Sequence, residues 1–188
     1  MLTSAAPRAH GEVALHIDVR SVVVRLALQF VAGERGWTTC ETHLAACSCV
    51  TVSDRPPAAH GPRLDVFVCK DTPAACQRAL DAVLDGAARA ILLWDEPDAL
   101  ATAIDAIQQG SVVIPERVID LALEAPRLTE RQCRTVHLVA AGRSNPEIAA
   151  ALHQSTSTTK RDLTELMGVL DVTNRASLMA VANRLGFL

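Results

Sequence analysis

The sequence predicts two domains of different class: an α/β domain built on an abbreviated, doubly wound parallel sheet, then an all-α domain of four helices. Three observations predict this. Short runs of β-forming apolar residues alternate with amphipathic stretches from Val13 to Gln109. From Leu128 onward, helix caps and stripes of helical period follow one another. The charge balance also divides there: residues 1–127 carry 11 Lys+Arg against 16 Asp+Glu (−5), and residues 128–188 carry 7 against 5 (+2), within a total of −3.

Taken in order, residues 1–11 are a flexible N-terminus and residues 12–110 are the α/β domain. Val13–Ile17, Cys49–Val52, Leu64–Cys69 and Arg89–Trp94 are short, rich in β-formers and bounded by Asp, Gly or Pro, so they read as buried strands, with Trp37–Cys40 a further candidate. Helical patterns lie over Val22–Arg35, Pro73–Leu84 and Pro97–Gln109. Pro73 suits a first turn, and Leu100, Ala103, Ile104 and Ile107 fall at helical spacing. Between the third and fourth of these strands, Asp54–Arg63 is too rich in Pro and Gly for a crossover helix. Residues 111–127 are a linker with a short helix around Val118–Ala122, ended by Pro126.

Composition bounds the function. With 49% hydrophobic and 21% charged residues the chain is globular, and with 3% aromatics and no Tyr it is poorly supplied for stacking single-stranded bases. The apolar stretches Val22–Val31 and Ala88–Trp94 fall well short of the about 20 residues that span a bilayer. Met1–Gly11 lacks the apolar region of a signal peptide. A cytoplasmic protein without membrane attachment is expected, and its six cysteines read as reduced thiols.

In residues 128–188, Thr129 and Gln132 stand at capping-box spacing, and Cys133, Val136, His137 and Ala140 form an inward stripe that ends at Gly142. Ser144 and Glu147 repeat the box, with Asn145 and Pro146 in the first turn and Ile148, Ala151 and Leu152 facing inward. His153-Gln154 is a tight turn, and Ser155 caps a helix from Thr156 to about Leu170 with Leu163, Leu166, Met167 and Leu170 on one face. Ser157, Thr158, Lys160 and Arg161 lie on the opposite, solvent-facing stripe. Two helices joined by a tight turn, the second opening with hydroxyls and cations, suit entry into a DNA major groove. A last helix covers roughly Arg175–Leu185. The candidate DNA-contacting residues are Ser155, Ser157, Thr158, Lys160 and Arg161, with Asn145 and Arg175 at the starts of neighbouring helices.

Leu128-Thr-Glu-Arg-Gln, Ala140-Ala-Gly-Arg-Ser-Asn-Pro-Glu-Ile-Ala149, Thr158-Thr-Lys-Arg-Asp-Leu163 and Asp171-Val-Thr-Asn-Arg-Ala-Ser-Leu178 resemble, in order and spacing, the signature blocks of the LuxR-type domain of NarL/FixJ response regulators. The resemblance implies that the helix from Thr156 recognises DNA, with Lys160 and Arg161 as groove and phosphate contacts and Thr158 as a phosphate anchor, and that the last helix serves dimerisation. Three departures stand out. Asp162 places a carboxylate near the phosphates, Gly168-Val169 replaces a usual Arg-Lys pair, and Asp171 replaces a usual Gly.

In that family the domain follows a phosphoaccepting receiver, and the α/β region resembles one, with its final strand at Ala88–Asp95. Aspartyl phosphorylation needs an acidic pair for Mg²⁺, an acceptor carboxylate and a Lys that reads the added charge. Here Asp18 is followed by Val19 and Arg20 instead of a second acid, and Trp94 stands where the Lys is expected. Lys70 lies near the end of the fourth strand, where the family has a hydroxyl. Asp54 is the candidate phosphoacceptor, displaced by one residue into a proline-bound turn. An incomplete, phosphorylation-independent receiver follows.

Cys40, His43, Cys47 and Cys49 have metal-ligand chemistry at close spacing, but the simpler reading places Cys40 and Cys49 in strands as small buried hydrophobes. No cofactor or bound metal is expected. His16 and His137 read as core or boundary residues, His153 as a turn residue, and Asp95, Glu96 and Asp98 as complements to a helix dipole. No phosphate loop, nucleophile elbow or zinc-protease motif is present. The expected function is therefore non-enzymatic: a homodimeric regulator binding double-stranded DNA. Two alternatives are a heterodimerising partner of another regulator with weak DNA binding, and a Cys-based redox or metal sensor.

Overall fold

A computed structural model describes residues 13–40, 49–55 and 64–188. Its elements are β1 (Ala14–Asp18), α1 (Val22–Glu34), β2 (Thr38–Cys40), β3 (Val50–Ser53), β4 (Val66–Cys69), α2 (Pro73–Leu84), β5 (Ala90–Leu93), α3 (Ala99–Gln108), α4 (Glu116–Glu124), α5 (Glu130–Ala140), α6 (Asn145–Ala151), α7 (Thr156–Val169) and α8 (Arg175–Leu185). The chain divides into two compact units, Met1–Cys69 with Asp81–Pro115 and Lys70–Leu80 with Glu116–Leu188.

In the first unit the five strands among the described residues run parallel in the order β2-β1-β3-β4-β5, the doubly wound arrangement that the alternating pattern predicts. β4 and β5 are buried along their whole length, as parallel strands covered on both faces must be. Their side chains meet Leu15, Val24, Leu28, Leu100 and Ile104 in one aliphatic core. β4 begins at Val66, two residues later than the apolar run suggests. The Asp65 carboxylate accepts from the Thr51 N–H at 2.9 Å, so a side chain replaces a ladder acceptor there.

The unit continues to Pro115 because Val113 adds to the free edge of β5, with its carbonyl accepting from Ile91 N–H at 2.9 Å. α3 begins at Ala99, and the Asp98 side chain makes no capping bond. The N-terminal stretch 1–11, most of the Pro/Gly-rich crossover (residues 56–63), and His43 and Cys47 lie outside the described residues. No helix among the described residues is long and apolar enough to cross a membrane.

In the second unit Val136, Val139, Ile148, Leu166, Leu170, Leu178 and Ala182 form the core. Both predicted capping boxes are present, at Thr129/Gln132 and Ser144/Glu147. Two stripes are corrected. On α5 the buried residues are Thr135, Val136 and Val139, whereas His137 and Ala140 are exposed. Thr135 occupies an inward position because its hydroxyl donates to the Arg131 carbonyl at 2.9 Å, satisfying a polar group that the apolar pattern excluded. On α6, Ala149 is buried instead of Ala151.

Candidate nucleic-acid interface

The α6–turn–α7 corner is set by local chemistry. α6 ends at Ala151 with Leu152 as its C-cap, and His153 follows with φ 52°, a left-handed conformation that β-carbon sterics disfavour. This residue reverses the chain so that the Gln154 N–H donates to the Ala149 carbonyl at 2.9 Å, closing a Schellman motif. Ser155 then caps α7, its Oγ accepting from Thr158 N–H at 3.1 Å and lying 2.8 Å from the hydroxyls of Ser157 and Thr158. Three of the predicted contact residues thus share one hydroxyl cluster at the positive end of the α7 dipole.

A polar network fixes the angle of this corner. Gln154 Nε2 donates to Thr159 Oγ1 at 2.8 Å and to Asp162 Oδ2 at 3.0 Å. Arg131, reaching from α5, donates to the same carboxylate from Nε at 3.2 Å and Nη2 at 2.7 Å, and also to Gln154 Oε1. Asp162 is therefore not the phosphate-facing carboxylate expected from sequence. Its side chain is only 14% exposed and is turned toward α5. Burial pushes the Asp162 carboxyl up, but the hydrogen bonds from Arg131 and Gln154, with the charges of Arg131 and Arg161, outweigh this and hold it below the usual carboxylate range.

Ser157, Lys160 and Arg161 remain exposed on α7, and Thr158 is half-buried. Asn145, Lys160 and Arg175 come together on the wall of a shallow groove of about 430 Å³ whose apolar residues are Leu163, Met167 and Leu178. Arg175 has a structural engagement as well. Its Nη2 donates to the carbonyls of Val139 at 3.3 Å and Arg143 at 2.6 Å, at and just beyond the C-terminal end of α5.

The cations of this unit's C-terminal part are heavily paired. Arg131 meets Asp162, Arg134 meets Glu130, Arg143 meets Glu147 and Arg161 meets Glu165 at 3.7 Å. Among the described residues Lys160 has no carboxylate partner. The i,i+4 spacing of Arg161 and Glu165 was readable in the sequence, whereas the reach of Arg131 across 31 residues carried no local signal.

Residues 126–182 match the family model for bacterial regulatory proteins of the luxR family. The segment that carries α5 to α8 is thus similar to LuxR-type helix-turn-helix domains. The chain is 32% identical over 117 residues to the transcriptional regulatory protein DesR of Bacillus subtilis and 34% identical over 123 residues to a nitrate/nitrite response regulator protein homolog of Haemophilus influenzae. Each alignment covers 61% of this chain and 57% of the relative. The aligned part thus spans little more than half the length of these relatives. A solved structure of two RcsB dimers bound to two parallel DNAs matches with a TM-score of 0.53 at 22% identity, covering 93% of this chain and 99% of that one. At that identity the likeness is one of fold: a receiver-like α/β domain with a LuxR-type domain.

Asp18 ends β1 and lies in register with Ser53, the last residue of β3, so Asp54 follows just beyond the adjacent strand at the same end of the sheet. Asp54 Oδ2 accepts from the Arg20 N–H at 3.1 Å, and Arg20 Nε lies 3.4 Å from Oδ1. Arg55 Nη2 lies 3.5 Å from Asp18 Oδ1. Trp94 follows β5, its backbone N–H donating to the Cys69 carbonyl at 3.0 Å. These residues are a poor fit for a divalent cation: each carboxylate faces a guanidinium and no second acid follows Asp18, although Asp54 Oδ1 is buried and accepts no hydrogen bond. Among the described residues no three His, Cys, Asp or Glu side chains converge to hold a metal. Cys40 ends β2 as expected, whereas Cys49 immediately precedes β3 instead of lying in it, and both thiols are half-buried rather than buried. His16, half-buried in β1, has Nδ1 3.2 Å from the Cys40 carbonyl oxygen.

Proposed function

We propose that this protein is a transcriptional regulator that binds double-stranded DNA as a dimer through α7 and is switched without an aspartyl phosphate. The observation that carries this reading is the exposed face of α7, where Ser157, Lys160 and Arg161 follow a capped, tightly turned N-terminus braced by Arg131, Gln154 and Asp162. A helix so presented enters a major groove N-terminus first, with donors toward bases and phosphates. Ser155, Thr158, Asn145 and Arg175 complete the proposed contact set. The likeness to DesR and to the nitrate/nitrite response regulator homolog supports the same role.

Dimerisation is supported by an apolar stripe on α1. Val22, Val23, Leu26 and Phe30 are 57–78% exposed at helical spacing, more than scattered surface apolar residues require. Phosphorylation independence is supported by Trp94 at the position of the charge-reading Lys and by the arginine-paired Asp18 and Asp54. A second reading, a heterodimeric partner that touches DNA weakly, is favoured by the pairing of four of the domain's cations with carboxylates. Genomic-DNA binding by wild type and Lys160→Ala at several salt concentrations separates them. Specific sites lost in the variant support the regulator, and binding without sequence preference supports the partner.

A further inference from the structure

We infer that Arg20 and Arg55 are built-in counter-cations that take, by charge, the place of a divalent ion in the acidic cleft of the receiver-like unit and hold that cleft in one metal-insensitive state. The inference rests on the phosphorylation-independent reading above and assigns it a physical cause. β1 and β3 are adjacent and parallel, which delivers Asp18 and Asp54 to the same C-terminal end of the sheet. Two carboxylates so placed repel one another and, left alone, attract a small hard cation.

Here the attraction is met from within the chain, in a crossed arrangement. Arg20 from the β1 end reaches Asp54 beyond β3, and Arg55 from the β3 end reaches Asp18 on β1. The four side chains sum to no net charge. Arg20 is also tied by its backbone, since its N–H donates to the Asp54 carboxylate at 3.1 Å. The Asp54 side chain is 19% exposed and that of Asp18 42%, whereas those of Arg20 and Arg55 are 69% and 61% exposed. An ion arriving from solvent meets the guanidiniums before Asp54, and one that bridges the two carboxylates competes with both arginines. Exposed ion pairs of this kind contribute little to stability. Their effect is on what can bind, because they cancel the field a divalent ion would follow.

The test uses the full chain and MgCl₂ alone as probe, at constant ionic strength. The fluorescence of Trp37 and Trp94, the latter following β5 at the same C-terminal end of the sheet, is read in wild type and in a Trp37→Phe background that isolates Trp94, and thermal melting reports on binding to the folded state. Wild type is expected to show no saturable change in either signal. Arg20→Gln/Arg55→Gln is expected to acquire a saturable Mg²⁺-dependent rise in Tm and a fluorescence change, each single variant a weaker one, and Arg20→Lys/Arg55→Lys to stay insensitive. A wild-type response equal to that of the Gln variants overturns the inference, as does a Gln variant that melts like wild type in EDTA and gains no response. If the double variant does not fold, the two single variants decide in the same way. Mass spectrometry after incubation of wild type with acetyl phosphate and Mg²⁺ separates the two layers. A phosphoryl group on Asp54 overturns the phosphorylation-independent reading, whereas an unmodified, Mg²⁺-insensitive wild type without gain in the Gln variants overturns only the role of the arginines.

Discussion

Replacing Asp162 by Ala removes the hub of the network that joins α5 to the turn and to α7. The carboxylate is 14% exposed and accepts from Arg131 at 2.7 and 3.2 Å and from Gln154 at 3.0 Å. A hydrogen bond to a charged group contributes about 1.5–3 kcal/mol, and because Arg131 is half exposed, solvent screening puts the Arg131–Asp162 coupling near about 1.5 kcal/mol. With the Gln154 amide also losing an acceptor, Asp162→Ala should cost about 2–3 kcal/mol in all. Hydrogen exchange of the full chain reads this locally. Amides of α7 should exchange about 30- to 150-fold faster, at tenfold per 1.4 kcal/mol, while those of β4 and β5 keep their wild-type rates. An Arg131→Ala/Asp162→Ala cycle should return the coupling. Exchange in α7 within about threefold of wild type would refute the bracing role.

The left-handed Asp171, φ 51°, closes α7, and Asp171→Gly should stabilise the domain by up to about 1 kcal/mol, because relief of the steric penalty exceeds the added entropy of the unfolded chain. Asp171→Val should lower Tm, and a Gly variant that melts below wild type would count against the strain. Hydrogen bonds from the Ser144 side chain and backbone, with Arg143, hold the Glu147 carboxyl down to about 2 from 4.5. A depressed folded-state value stabilises above the unfolded value, so protection of α6 amides should be full above about pH 4.5 and fall as pH drops toward 2, flattening in Glu147→Gln. An unchanged profile in that variant would remove the cap as its source. Phe30→Glu, on the apolar stripe of α1, should shift the sedimenting species from dimer to monomer, and an unchanged mass would place the dimer contact elsewhere.

The parts of this molecule that were legible in the sequence are those decided within a few residues. Thr129 with Gln132, Ser144 with Glu147, and Ser155 before Thr156 announce three helix starts, because a cap is a bond between neighbours. Four strands of the sheet were equally plain as apolar runs, although Asp65 displaced one start by supplying a ladder acceptor from its side chain, whereas Thr38–Cys40, polar and mostly exposed, was only a candidate. What the sequence did not disclose depends on partners far along the chain. The orientation of Asp162 is set by Arg131, and the inward turn of Thr135 by a carbonyl that apolar patterning ignores. In the receiver-like unit the absence of a second acid after Asp18 was readable. The crossed pairing of Arg20 and Arg55 became visible only once β1 and β3 lay side by side.

The most direct test of the proposed function is selection of genomic fragments by the full chain, followed by titration of the enriched site across a salt series. Wild type should enrich defined, two-fold-related sites with affinity that falls steeply with salt. Lys160→Ala should lose that enrichment, and Arg161→Ala should weaken binding and reduce the salt slope by about one. Retention of wild-type selectivity in Lys160→Ala, or binding by wild type with no sequence preference at any salt concentration, would contradict DNA recognition through α7.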